Sequence, residues 1–212
     1  MKDENPGRPA IRVTDPKALR ALAHPIRLSL MGLLRTEGPL TATKAAGLLG
    51  ESSASTSFHL RQLAKYGLVE ETGGGQGRER PWRATKLFTD VPAITNDPKV
   101  AAASALVRGV VAENYFAAVR RWLAERDDEP EEWQRAAQFG DTMIYLTAEE
   151  LAELGDRVEE LVDQYLDRLT DPRRRPDGAR LVSFLHIAHP YVRAAGSAQH
   201  GAERPETPET TP

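Results

Sequence analysis

The sequence predicts a mainly α-helical fold with a small β component, and three observations predict it. Two capped helix signals follow each other between residues 41 and 66, a glycine-rich hairpin signal lies between residues 67 and 85, and a long apolar helix pattern begins at residue 97. Helix, helix and hairpin in that order indicate a winged helix-turn-helix. We therefore expect a winged domain over residues 13–90, a long helix over 97–127 and a C-terminal strand-helix-strand block over 131–193.

The two ends of the chain are expected to be disordered. Residues 1–12 and 194–212 are rich in charged residues, Pro, Gly, Ser and Thr and have few large apolar side chains. Such segments cannot bury enough apolar surface to offset the entropy lost on ordering. We assign them no function.

The first helices of the winged domain have recognisable start and stop residues. Pro25 suits a first helical position, and the apolar pattern after it ends before Gly38. Thr41 can cap a short helix over 42–49 by accepting hydrogen bonds from backbone N–H groups without helical partners. Gly50 then allows a sharp turn into the next helix.

The helix within residues 52–66 separates its side chains into two faces at the 3.6-residue spacing. Thr56, His59, Leu60 and Leu63 share the face that suits a small core, and we interpret His59 as a hydrogen-bonded structural histidine. The opposite face begins with small residues and carries cations further along, as in a helix that enters a DNA groove. The base-reading candidates are Ser53, Ala54, Ser57, Phe58 and Arg61, and the backbone-contacting candidates on this helix are Gln62 and Lys65.

A β-hairpin wing is predicted after this helix. The runs 67–72 and 80–85 are β-prone, and the seven residues between them include four glycines. Arg78 and Arg80 lie at or beside the tip of this hairpin, where cations can reach the sugar-phosphate backbone or the minor groove. We therefore expect both arginines to contact the DNA backbone.

These residues resemble a known family of transcriptional regulators. The runs ALAHPIRL (21–28), SASTSFHLRQL (53–63) and KYGLVE (65–70), together with the arginine-bearing wing, are similar to ArsR/SmtB-type winged-helix proteins. The resemblance covers roughly residues 15–88. It implies a homodimer that binds double-stranded DNA sequence-specifically and whose affinity often responds to a ligand.

The chain differs from the metal-sensing members of that family. It contains no cysteine, residues 41–49 offer no thiolate, and the long helix after the wing has no histidine. Thiolate sites for soft metals need deprotonated sulfur, so this sequence excludes them. His186 and His189 are three residues apart in a segment predicted to be extended, where they point to opposite faces. We expect no metal and no cofactor.

Charge separates the chain into two parts. Residues 1–90 contain 14 Lys and Arg against 9 Asp and Glu, whereas residues 91–212 contain 14 against 22. The part that carries the motif is therefore the basic one, as expected for a surface that binds nucleic acid. No run approaches the roughly 20 apolar residues of a membrane span, and the N-terminus lacks an apolar signal core, so we expect a cytoplasmic protein.

The long helix after Asp97-Pro98 carries a wide apolar stripe that needs a partner. Packing within one subunit and dimerisation both account for such a stripe, and the family resemblance favours dimerisation. Leu106, Val110, Val119 and Trp122 are the candidate dimerisation residues.

The C-terminal block reads as strand, helix, strand. Residues 142–146 and 181–188 are apolar and β-prone, and Thr147 and Glu150 have the spacing of a capping box before a helix with a regular apolar stripe. This block lies outside the family resemblance. We expect it to be a sensor of a small-molecule effector, a dimer brace or both.

Catalysis is not expected. A phosphate-binding loop needs a strand before it and a helix N-terminus after it, whereas Gly73–Gly77 is followed by Pro81 and a β-prone run. The chain also lacks a Cys nucleophile, a G-x-S-x-G turn and an H-E-x-x-H motif. Two hypotheses remain: a DNA-binding regulator, and a winged-helix module that binds another protein through Phe58 and the wing.

Overall fold

The computed structural model describes residues 8–73 and 80–192, and helices predominate in these ranges. A helix-turn-helix lies towards the N-terminus, and a long helix follows it, so the predicted fold class is confirmed. The elements, in chain order, are β1 (Ala10–Arg12), α1 (Pro16–Leu22), α2 (Pro25–Thr36), α3 (Ala42–Leu49), α4 (Ser53–Ala64), β2 (Val69–Glu71), β3 (Trp82–Ala84), β4 (Phe88–Asp90), α5 (Pro98–Glu125), α6 (Glu131–Ala136), α7 (Ala148–Asp163) and α8 (Asp167–Thr170).

The predicted helix starts of the winged domain are confirmed. Pro25 occupies the first turn of α2, and Thr41 Oγ1 accepts a hydrogen bond from the Lys44 backbone N–H at 3.2 Å. Ser52 Oγ caps α4 in the same way, accepting from the Ser55 N–H at 3.1 Å. Gly50 ends α3 with a φ of +68°, a left-handed conformation that glycine adopts without steric cost. These caps fix where α4 begins.

The base of the wing is a small antiparallel sheet, as predicted. β2 pairs with β3 so that Glu70 lies opposite Arg83 and Glu71 opposite Trp82. Leu40 adds a bridge to Trp82 on the other edge of β3, which ties the wing to the segment before α3. The tip, residues 74–79, lies outside the described residues, and so does the predicted contact residue Arg78.

The N-terminal boundary expected at residue 12 is wrong. Ala10–Arg12 form β1, which pairs in parallel with β4 immediately after the wing. The segment becomes ordered because its backbone groups find partners on a strand distant in sequence, a source of order that composition does not reveal. The unpredicted helix α1 follows, capped by Asp15, whose side chain accepts a hydrogen bond from the Lys17 N–H at 2.9 Å.

One hydrophobic core joins the winged domain to the first half of α5. The inward side chains of α1, α2 and α4 meet those of the wing strands and α5 there. Large side chains with at most 2% exposure in this core are Leu19, Leu22, Leu30, Met31, Leu60, Leu63, Leu68, Val69 and Val107.

The helix α5 begins as predicted and is buried only over its first third. Asp97 caps it by accepting hydrogen bonds from the Lys99 and Val100 N–H groups. Its buried residues are Val100, Ala103, Ser104 and Val107, and none lies further along the helix. The second half of its apolar stripe therefore has no core partner among the described residues.

The strands predicted in the C-terminal block do not form. Residues 142–146 and 181–188 have no strand assignment and no backbone hydrogen bond to each other. A strand needs a partner to satisfy its backbone, and neither segment finds one within the described part of the chain. The helix between them is confirmed as α7, with both hydrogen bonds of the Thr147–Glu150 capping box present.

Arg8 contacts both the C-terminal block and the strand that follows the wing. Its guanidinium forms ion pairs with Asp163 at 2.5 Å and Glu159 at 3.5 Å near the end of α7. The same group lies 5.1 Å from the ring centroid of Phe88 in β4, a cation–π distance. The position of α7 is therefore coupled to the strand that follows the wing.

Candidate nucleic-acid interface

The orientation of α4 is set by the residues that it buries. Thr56, His59, Leu60 and Leu63 are all buried, at the i, i+3, i+4 and i+7 spacing predicted for the inward face. Leu60 and Leu63 are fully inaccessible and fix the rotation of the helix about its axis. The opposite face is consequently held in solvent.

The predicted base-reading residues lie on that exposed face. Ser53 and Ala54 are exposed in the first turn, Ser57 is half-buried one turn later, and Phe58 is 51% exposed. The ring of Phe58 meets the ring of His59 edge-on, with 5.3 Å between centroids. An apolar side chain held this way is available to a thymine methyl or to a protein partner.

Arg61 and Lys65 are the exposed cations of α4 and its end. Neither makes an ion pair with a carboxylate in the part of the chain that the structure describes. Lys65 lies over the Tyr66 ring, with its ammonium 5.8 Å from the centroid, and Gln62 is half-buried between the two cations. Their charges are therefore free to meet an anionic ligand such as a phosphate.

The arginines at the base of the wing differ from Arg61 and Lys65, because they form ion pairs with carboxylates of the opposite strand. Arg80 pairs with Glu71 at 3.4 Å and Arg83 pairs with Glu70 at 2.6 Å. Both pairs are exposed, where such contacts contribute roughly 0–1 kcal/mol and exchange readily. A DNA contact by Arg80 would have to compete with Glu71, a cost that the sequence pattern alone did not reveal.

Lys44 is a further exposed cation that the sequence reasoning missed. It lies in the first turn of α3, and its backbone N–H is the one capped by Thr41. In helix-turn-helix proteins the helix before the recognition helix crosses the DNA backbone. A cation three residues after a predicted cap, on that helix, is the signal that identifies it.

A pair of histidines lies at the buried face of α4. The rings of His24, at the N-cap of α2, and His59 are 4.6 Å apart between centroids, and the Nδ1 atoms of both are buried without a hydrogen-bond partner. Burial lowers the pKa of each, and for His59 the neighbouring His24 and Arg27 lower the pKa further, while Glu51 opposes them. The prediction of a hydrogen-bonded His59 is wrong at Nδ1, and the ring instead makes a tilted contact with His24 and an edge-on contact with Phe58.

The candidate dimerisation residues lie along α5. Leu106 is 54% exposed, whereas Val110, Val119 and Trp122 are half-buried. Trp122 lies near Phe139 and beneath Arg126, whose guanidinium is 5.5 Å from the indole centroid. The four residues share one helix, and the residues around them include the exposed rings of Tyr115 and Phe116.

No group of three or more His, Cys, Asp and Glu side chains within residues 8–73 and 80–192 is placed to hold a metal ion. No helix in those ranges is both long enough and apolar enough to cross a membrane.

Comparison with known proteins identifies the domain. The model of a protein family described as a helix-turn-helix domain matches residues 22–72, the range that contains α2, α3, α4 and β2. No curated protein matches the chain. The chain therefore contains a helix-turn-helix DNA-binding domain, which indicates a DNA-binding regulator.

The histidine pair predicts loss of stability on acidification. A lowered pKa in the folded state means that the unfolded chain binds more protons near pH 6.5, so the free energy of unfolding should fall as the pH decreases through that value. Urea unfolding between pH 7.5 and 5.5 measures this. His24→Asn, which keeps a favourable N-cap, should flatten the dependence, and the exposed His189→Gln should not. Equal slopes in all three proteins would contradict the assignment.

Proposed function

We propose that this protein is a cytoplasmic transcriptional regulator that binds a specific inverted-repeat operator as a homodimer. The observation that carries the proposal is the exposed face of α4, where Arg61 and Lys65 have no carboxylate partner among the described residues while the opposite face is buried. The match of this region to a helix-turn-helix family supports the same conclusion. The proposal includes an effector that acts through the C-terminal block.

Within this proposal the side chains of α4 have two kinds of role. Ser53, Ala54, Ser57, Phe58 and Arg61 read base edges in the major groove, with Arg61 as the strongest candidate for a guanine contact. Gln62 and Lys65 contact the sugar-phosphate backbone, together with Arg78 and Arg80 of the wing. Lys44 joins the backbone-contacting group because of its place on α3.

Dimerisation is proposed through α5, because its exposed apolar side chains have no partner within the described residues. Leu106 and Phe116 are 54% and 48% exposed, which is high for large apolar groups on one helix. A two-fold dimer places the same surface of each subunit face to face, so the apolar stripe of α5 in one subunit would cover the same stripe in its partner. Such a dimer presents two α4 helices to successive major grooves, about 34 Å apart.

The C-terminal block supports a role as a dimer brace. Its two apolar segments have no strand partner within the described residues and expose large side chains, among them Met143, Tyr145, Phe184 and Tyr191. No residue of α7 is buried, although its apolar stripe is regular. Surfaces of this kind are covered in a stable protein, and a second subunit would provide both backbone partners and apolar cover.

The alternative is a winged-helix module that binds a protein rather than DNA. It is favoured by one observation, the exposed ring of Phe58 at the centre of the α4 face. A protein-binding surface is usually enriched in aromatic and large apolar groups and depleted in charge at its core. Phe58 is flanked instead by Ser57, Arg61 and Lys65, so DNA is the better partner.

Replacing Arg61 tests the base-reading role. After an operator is selected from random duplexes, Arg61→Ala should weaken operator binding by about 1–3 kcal/mol and relax specificity at one base-pair position. Fluorescence anisotropy on the operator and on its single-base variants measures both effects. The control is Arg157→Ala, an exposed arginine of α7 outside this face. If Arg61→Ala lowers affinity equally on every sequence, Arg61 is a phosphate contact.

Replacing Lys65 or Arg78 tests the backbone-contacting role. Each lost phosphate contact releases about one fewer counterion, so Lys65→Gln and Arg78→Ala should each reduce the slope of log affinity against log salt by about one. Operator titrations at a series of salt concentrations give the slope. Arg157→Ala is again the reference, and a slope unchanged from the parent would remove that residue from the interface.

Replacing Leu106 tests the dimer surface. Leu106→Glu would place a carboxylate in an apolar interface and should weaken self-association by roughly tenfold or more. Sedimentation velocity over a range of protein concentrations measures it, and circular dichroism checks that the fold is kept. Ile94→Glu, at a site 84% exposed in the loop before α5, is the matched control. A dimer equally stable in both variants would locate the interface elsewhere.

A further inference from the structure

An open cleft lies between the winged domain and the C-terminal block. Its volume is about 440 Å³, within the range of roughly 300–1,000 Å³ common for ligand pockets. Its walls come from the end of α2 and the turn after it, from the chain between β3 and β4, from Pro9 and from α8. The apolar part of the lining is formed by Pro9, Leu34, Pro39, Ala84, Leu87 and Leu169.

The charged side chains that the structure describes in this cleft are all cations. Arg35, Arg83 and Lys86 line it, and no carboxylate from residues 8–73 or 80–192 does. Arg83 is already paired with Glu70, whereas the Lys86 ammonium has no ionic partner among the described residues. An apolar surface with an excess of positive charge favours a ligand that combines an anionic group with a hydrocarbon body.

Arg35 is the cation that lies deepest in this wall. Its Nε donates to the Lys86 carbonyl oxygen at 3.2 Å and its Nη2 donates to Thr89 Oγ1 at 2.6 Å, and both of these acceptors are neutral. Burial lowers its pKa to about 10, and the group still carries its charge at neutral pH. A half-buried cation whose hydrogen-bond partners are neutral is stabilised when an anion approaches.

The cleft is placed to couple the two halves of the chain. Lys86 follows the wing strand β3, whereas Leu169 and Thr170 are the last two residues of α8, which packs on α2. A ligand that contacts both walls would restrain the wing relative to the C-terminal block. A ligand that has different affinities for two arrangements of these walls shifts the population towards the arrangement that it binds better. Regulation by a ligand requires such a difference in affinity.

We propose that this cleft binds a small amphipathic anion, a carboxylate with a short hydrocarbon chain, with its carboxylate at Arg35 and Lys86 and its chain against Leu34, Leu87 and Leu169. The binding site stands on the geometry of the cleft. The effect of the ligand on DNA binding rests on the proposed function, because the ligand would be the effector that the proposed function includes.

Isothermal titration calorimetry of the full chain with sodium octanoate tests the site. One octanoate per chain should bind, and neutral octanamide should bind at least about fivefold more weakly. Lys86→Gln should weaken octanoate binding by about fivefold, since it removes one ionic contact. Leu169→Glu should abolish it, because the new carboxylate repels the ligand. Lys99→Gln, an equal loss of charge in the exposed first turn of α5, should leave the affinity unchanged.

Three results would overturn the site: no binding of octanoate, equal binding of octanamide, or equal affinity of Lys86→Gln and the parent. Operator anisotropy with and without octanoate then tests the coupling. Octanoate should change the operator affinity of the parent by at least about threefold and should leave that of Leu169→Glu unchanged. Octanoate binding without that change would overturn the regulatory part alone. Failure of the octanoate-free protein to prefer any operator would overturn the proposed function and leave the binding site standing.

Discussion

The burial of one face of α4 is the constraint on which the rest of this structure depends. Leu60 and Leu63 are fully inaccessible, and Thr56 and His59 are buried beside them, so the helix has one rotational setting. A rotation that exposed the two leucines would lose several kcal/mol of apolar burial. The opposite face, with Arg61, is held outward as a result, and its chemistry follows from packing on the other side.

Local signals in the sequence were sufficient to predict this helix and its neighbours. The Thr41 cap, the Gly50 turn and the Ser52 cap each depend on residues within one turn of chain, and each is present in the structure. The wing strands were also predicted, because β-prone residues flank a glycine-rich turn. The tilted ring contact between His24 and His59 joins the start of α2 to α4 and has no local signal, so it was not predicted.

Pairing between distant segments accounts for most of what the sequence did not predict. The strand β1 orders only because β4 lies beside it, and the expected strands at 142–146 and 181–188 fail to form because β propensity alone satisfies no backbone group. The pairing of Arg80 with Glu71 likewise depends on the register of the hairpin. For the candidate site, the 3.6-residue spacing predicted which α4 side chains face outward, whereas the competition for Arg80 was not predicted.

The parallel pairing of β1 with β4 has a practical consequence for dissecting the chain. A fragment cut at residue 13 would leave one edge of β4 bare and would remove Arg8 from the acidic end of α7. Truncations of this chain should therefore start no later than Arg8. A shorter product that aggregates would report a missing strand and would say nothing about affinity for DNA.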